Sequence, residues 1–159
     1  MKRFEYIVIL LMVFTLPCFG QDDKAVDIEL AIYPSSGGYL GYVIELRGEM
    51  LEVISKELLI EKGEFILGKT IEIESKKLSR CQIKKVKRYL KGIENLEGGY
   101  EELELTLDVW VFDFLINRKQ SIKLNSSLLR QSKEFKKVEK LVEYLKRLSP
   151  VKIKLREFS

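Results

Sequence analysis

VDIELAIYPSSGGYLGYVIELRGEMLEVISK, residues 26–56, is the stretch that decides the fold. Val26, Ile28, Leu30 and Ile32 alternate with Asp27, Glu29 and Ala31, the period-two pattern of a strand with one wet face. Pro34-Ser35-Ser36-Gly37-Gly38 interrupts it, and Leu40, Tyr42, Ile44 and Leu46 resume the alternation as far as Arg47. Gly48-Glu49 turns the chain, and Leu51 to Lys56 returns. Strands joined by turns too short for a crossover helix form a β-meander, so the sheet starts antiparallel.

Beyond this stretch, Leu58 to Gly63 has no decisive period. Phe65 to Glu74 reads as a further strand, with Ile71 and Ile73 inward, Thr70, Glu72 and Glu74 outward, and a bend or bulge at Gly68. Ser79 is the expected N-cap of a helix reaching about Gly92, with Ile83, Val86, Leu90 and Ile93 as its apolar stripe. Tyr100 to Ile116 starts as clean alternation and becomes apolar on both faces at Val109-Trp110-Val111-Phe112, which predicts a strand buried on both sides. Asn117-Arg118-Lys119 predicts a turn into a strand over Gln120 to Asn125. A second helix is expected from Ser132 to Leu148, stopped by Pro150, with Val151, Ile153 and Leu155 in a closing strand. The fold class is α+β: an antiparallel sheet of about six to seven strands with two helices on one face.

The N-terminus carries an address. Met1-Lys2-Arg3 is a cationic start, Tyr6 to Leu16 is an apolar run too short to span a bilayer, and Pro17-Cys18-Phe19-Gly20 precedes the polar Gln21-Asp22-Asp23. This is the pattern of a secretory signal peptide over residues 1–20, with cleavage expected after Gly20. The alternative is a lipoprotein signal acylated at Cys18, although Pro17 and Thr15 fit that motif poorly. Residues 21–159 then form a single domain, exported to the periplasm or beyond, with no transmembrane segment in the mature chain.

Histidine is absent from the sequence. That removes the commonest general base and the commonest zinc ligand, and no calcium loop appears, so no metal or cofactor is expected. Without Cys18 the lone Cys81 has no disulfide partner and is expected to be buried. Charge is laid down in blocks. Residues 21–75 carry twelve acids and five bases, and residues 76–93 carry eight bases and no acid. Residues 94–117 carry seven acids and no base, and residues 118–159 carry thirteen bases and four acids. Such blocks predict pairing between neighbours within the fold, and a surface potential able to steer a charged partner.

Three constellations could carry chemistry. Ser35, Ser36, Gly37 and Gly38 could bring backbone N–H groups close to an anion, although a hairpin connection needs the same residues. Asp113 sits among Phe112, Phe114 and Leu115, where it is either a structural acid held by the turn or a base such as Arg118, or a general acid of raised pKa. Tyr39, Tyr42, Trp110 and Phe112, with Asp113, could line a ligand-binding cleft, while sheet aromatics also make ordinary core. The lysines of the first helix could meet polyanions or acidic membranes, but for an exported protein nucleic acid is not an expected partner.

The pattern Ile32-Tyr33, Ser35-Ser36-Gly37-Gly38-Tyr39, Gly41-Tyr42, the Phe19-Gly20 ending before Gln21, and the closing run from Leu148 to Phe158 resemble small uncharacterised exported α+β proteins of Bacteroidota. The resemblance implies no activity, cofactor or catalytic residue. In architecture alone the chain is similar to sheet-plus-helix modules of periplasmic inhibitors and to cystatin-like domains. The expected function is a non-enzymatic module of the cell envelope that binds a protein or a small ligand. The alternatives are a carboxylate-based hydrolase using Asp113 or Asp108 with a glutamate on an envelope or glycan substrate, and a lipid-anchored surface protein held through Cys18.

Overall fold

The computed structural model describes residues 25–33, 40–62, 64–93, 96, 111–125 and 135–153. The elements in chain order are β1 (Asp27–Tyr33), β2 (Leu40–Arg47), β3 (Met50–Glu61), β4 (Glu64–Lys77), α1 (Arg80–Leu90), β5 (Val111–Ile116), β6 (Gln120–Asn125) and α2 (Phe135–Leu148). One six-stranded sheet runs in the order β4-β3-β2-β1-β5-β6, and every neighbouring pair is antiparallel. The α+β expectation is met.

Turn chemistry sets the registers. Arg47 pairs with Met50 across a two-residue connection in which Gly48 has φ 61°, a left-handed conformation that glycine adopts without steric cost. At the β5–β6 turn Asn117 and Arg118 have φ 49° and 55°, and the Asn117 N–H donates to the Asp27 carbonyl at 2.7 Å, tying this turn to β1. Ser79 caps α1 through a reciprocal box. The Gln82 N–H donates to Ser79 Oγ at 3.4 Å, and the Ser79 N–H donates to Gln82 Oε1 at 2.8 Å.

Cross-strand partners build the covered face. Ile28, Leu30 and Ile32 pair with Leu46, Ile44 and Tyr42 on one side and with Ile116, Phe114 and Phe112 on the other. Leu51 and Val53 of β3 and Ile122 and Leu124 of β6 extend the same face. Against it pack Val86, Leu90 and Ile93 from the first helical segment, and Val138, Leu141, Val142, Leu145 and Leu148 from α2. Each large apolar side chain sealed in this layer contributes about 1.5–3 kcal/mol, which is what holds two short amphipathic helices to the sheet.

Four details depart from the sequence reading. Ile71 and Ile73 do not point inward: they are 58% and 56% exposed, because the β3 register puts Ile73 beside Ile54 on the face away from the helices. Of the strand expected over Tyr100 to Ile116, residues 100–110 lie outside the described residues, and β5 alternates half-buried and buried positions from Val111 to Ile116 instead of being buried on both sides. Of the expected closing strand, Val151 and Ile153 pack against the core without joining the sheet, and Leu155 lies outside the described residues. Cys81 is exposed, since it lies on the side of α1 opposite the Val86–Leu90 stripe. The bulge expected near Gly68 is present: Lys56 pairs with Thr70 and Leu58 with Leu67, so β4 carries an extra residue there, and a second shift places Ile71 between the pairs Ser55–Glu72 and Lys56–Thr70.

Candidate functional site

Successive residues of a strand face opposite sides, so the odd-numbered positions of β1, β2 and β5 share the face that neither α1 nor α2 covers. The registers lay these positions out in rows. One row runs Ile73, Ile54, Val43, Ala31, Asp113 across five strands. The next runs Ser75, Glu52, Glu45, Glu29, Leu115, Ser121, and brings three glutamates from adjacent strands directly opposite one another. Like charges in opposite cross-strand positions repel, so the fold itself gains nothing from this arrangement. Arg47 relieves it in part through an ion pair with Glu45 at 2.7 Å.

A corner of the same face is roofed by the far end of the β3–β4 hairpin. The two register shifts bend this hairpin, and Leu67 and Leu58 come to rest over Gly41. A Cβ on Gly41 would overlap the Leu67 methyl, so the hairpin approaches this closely because residue 41 has no side chain. Acidic, apolar and roofed positions thus lie side by side on one surface.

Asp113 lies on this face and accepts a hydrogen bond from Ser121 Oγ at 3.4 Å. Arg118, the base considered as its partner, instead pairs with Asp27 at 3.0 Å. Tyr33 is on the same face, and burial, followed by the negative charges of Asp113 and Glu29, raises its phenol above the ordinary value of 10.0. Tyr42 and Phe112 are elsewhere. They are 5% and 3% exposed, within the helix-covered core, and the sheet separates them from Asp113. The structure therefore does not bring Tyr42, Phe112 and Asp113 into one cleft. Tyr39, Trp110, Asp108, the loop Ser35, Ser36, Gly37 and Gly38, and Cys18 with the signal segment lie outside the described residues.

The glutamate row was not singled out from the sequence. Its β2–β3 half was legible, because a two-residue turn at Gly48-Glu49 forces Glu45 opposite Glu52, but the β1–β2 register across residues 34–39 was not.

The charge blocks pair with one another in places, Lys77 with Glu49 at 3.3 Å and Arg118 with Asp27 at 3.0 Å, and charge also segregates by layer. Arg80–Leu90 carries five bases and no acid, and Phe135–Leu148 carries five bases and two acids, so the helix layer is cationic where the opposite sheet face is acidic. Among the described residues no group of three or more His, Cys, Asp or Glu could hold a metal ion, and no helix is long and apolar enough to cross a membrane. No family model matches the chain, and neither a curated protein nor a solved structure matches it.

Proposed function

We propose that this is an exported protein of the cell envelope that acts as a binding module, holding a partner with cationic and apolar groups on the sheet face away from the helices. Export is supported by the signal-like residues 1–20, and binding by the Glu29–Glu45–Glu52 row, an arrangement that costs stability and that a cationic partner would relieve. The adjoining Ala31 and Ile54, both half-buried, offer apolar contact beside the charges.

Titrating the isotope-labelled protein with a short lysine–leucine peptide tests the binding reading. Saturable amide shifts centred on Glu29, Glu45 and Glu52, lost when all three are changed to Gln, support it. Shifts spread evenly over the surface, or no shifts, overturn it. Mass spectrometry of the N-terminus tests the address: a start at Gln21 supports export of a free protein, an acylated Cys18 replaces it with a lipid-anchored one, and an intact Met1 overturns it.

A further inference from the structure

The sheet has an outer edge at β4, and among the described residues no strand pairs with it. Unpaired edges of this length are templates for pairing with another chain. From Glu72 to Lys77 the strand is regular, beyond both register shifts, and all of its residues are exposed. The Leu78 N–H points to β3, donating to the Glu49 carbonyl at 2.8 Å. In a regular antiparallel strand the direction of the backbone groups alternates, so Lys76 and Glu74 also bond inward, while Lys77, Ser75 and Ile73 project their N–H and C=O groups to the open edge.

We propose that this edge binds a second copy of the chain, β4 against β4, with the two-fold axis at Ser75. In that register Ser75 exchanges backbone hydrogen bonds with Ser75 of the second copy, and Ile73 does so with Lys77 of the second copy. The intervening pairs are the close, non-hydrogen-bonded kind, and both place Glu74 of one copy directly opposite Lys76 of the other. Charge selects this register over its neighbours. Centring on Glu74 sets two glutamates face to face, and centring on Ile73 opposes Glu72 with Glu74 twice.

Neither Glu74 nor Lys76 makes an ion pair among the described residues, so both are available. On the other side of the ribbon the stem of Lys77 would cover Ile73, which is 56% exposed in the single chain. The axis is perpendicular to the sheet, so both helix layers fall on one side and both glutamate rows on the other. This pairing does not depend on the glutamate face being a binding site.

Sedimentation equilibrium of the purified protein, as processed by the cell that makes it, is the test. A dimer is expected at micromolar concentration. Lys76→Glu sets glutamate against glutamate at both close pairs and should weaken the dimer about tenfold or more. Combining it with Glu74→Lys restores opposite charges and should restore the dimer. Both positions are exposed, and circular dichroism checks that each variant keeps its fold. A monomer at all concentrations, a dimer indifferent to Lys76→Glu, or a double exchange that fails to recover association would each overturn the proposal.

Discussion

Tyr144 of α2 and Tyr89 of α1 meet edge to face, with ring centroids 5.5 Å apart and planes at 61°, and Lys85 and Arg147 lie 4.8 Å and 5.2 Å from the centre of the Tyr144 ring. An edge-to-face pair gains from the positive rim of one ring meeting the negative face of the other, and cations over the ring draw on the same quadrupole. One side chain thus joins the two helices and gathers two of their positive charges. Tyr144→Ala should cost about 3–5 kcal/mol in urea unfolding, whereas Tyr144→Phe, which keeps the ring, should cost under about 1.5 kcal/mol.

The α1 cap supplies a smaller term. Removing the Ser79 hydroxyl leaves the Gln82 N–H to water and breaks one half of the reciprocal box. Ser79→Ala is expected to lose about 1 kcal/mol, and Ser79→Asp, whose carboxylate accepts the same bond beside the positive helix end, should retain most of the stability. The thermal midpoints of the two variants make the comparison.

Gly48 is needed for its backbone. At φ 61° a side chain is strained although nothing lies within 4 Å of a Cβ there, so Gly48→Ala should destabilise by about 1–3 kcal/mol without disturbing packing. Gly41→Ala is the converse case, in which the loss comes from contact with Leu67. A second change, Leu67→Ala, should therefore recover part of the Gly41→Ala loss and none of the Gly48→Ala loss in a double-mutant cycle.

The glutamate row predicts a gain. Glu52→Gln removes one of three like charges held opposite one another and should raise stability by about 0.2–1 kcal/mol. The gain should shrink in concentrated salt, which screens the repulsion being relieved. A loss of stability on this substitution would mean that Glu52 has a favourable partner.

Tyr33 gives a pH dependence. Its folded pKa is raised, so above the ordinary value the unfolded chain releases the proton while the folded chain keeps it. The stabilising contribution is complete below about pH 10 and is lost as pH rises through the folded pKa. Tyr33→Phe should remove this component, so that the stability difference between wild type and variant changes between about pH 9 and pH 12 and is flat below. Urea midpoints across that range, at constant salt, read it directly.

Position in a period was readable wherever a single face had to be apolar: Ile28, Leu30 and Ile32, or Val138, Leu141 and Leu145, belong to the core by spacing alone. Ile71 and Ile73 show where that reasoning stops. Alternation says that they share a face, but the side that is covered depends on where the helices lie, and β4 sits at the edge with its isoleucines turned away from them. Asp113 shows the same limit. Its apolar neighbours Phe112 and Phe114 point into the core, so the carboxylate next to them in sequence is on the opposite face, beside Ser121.

What the sequence determined by itself is local: strand and helix periods, the Ser79 cap, the Gly48 turn and the antiparallel sense that short connections impose, because each depends on residues a few positions apart. Tertiary structure decided the sheet order, the face that the helices cover, the bend that brings Leu67 over Gly41, and the meeting of Glu29 with Glu45. These follow from registers between distant segments, where a slip of one residue would turn every side chain to the other face. The candidate site is made of such registers, which is why the fold class could be read from the chain and the site could not.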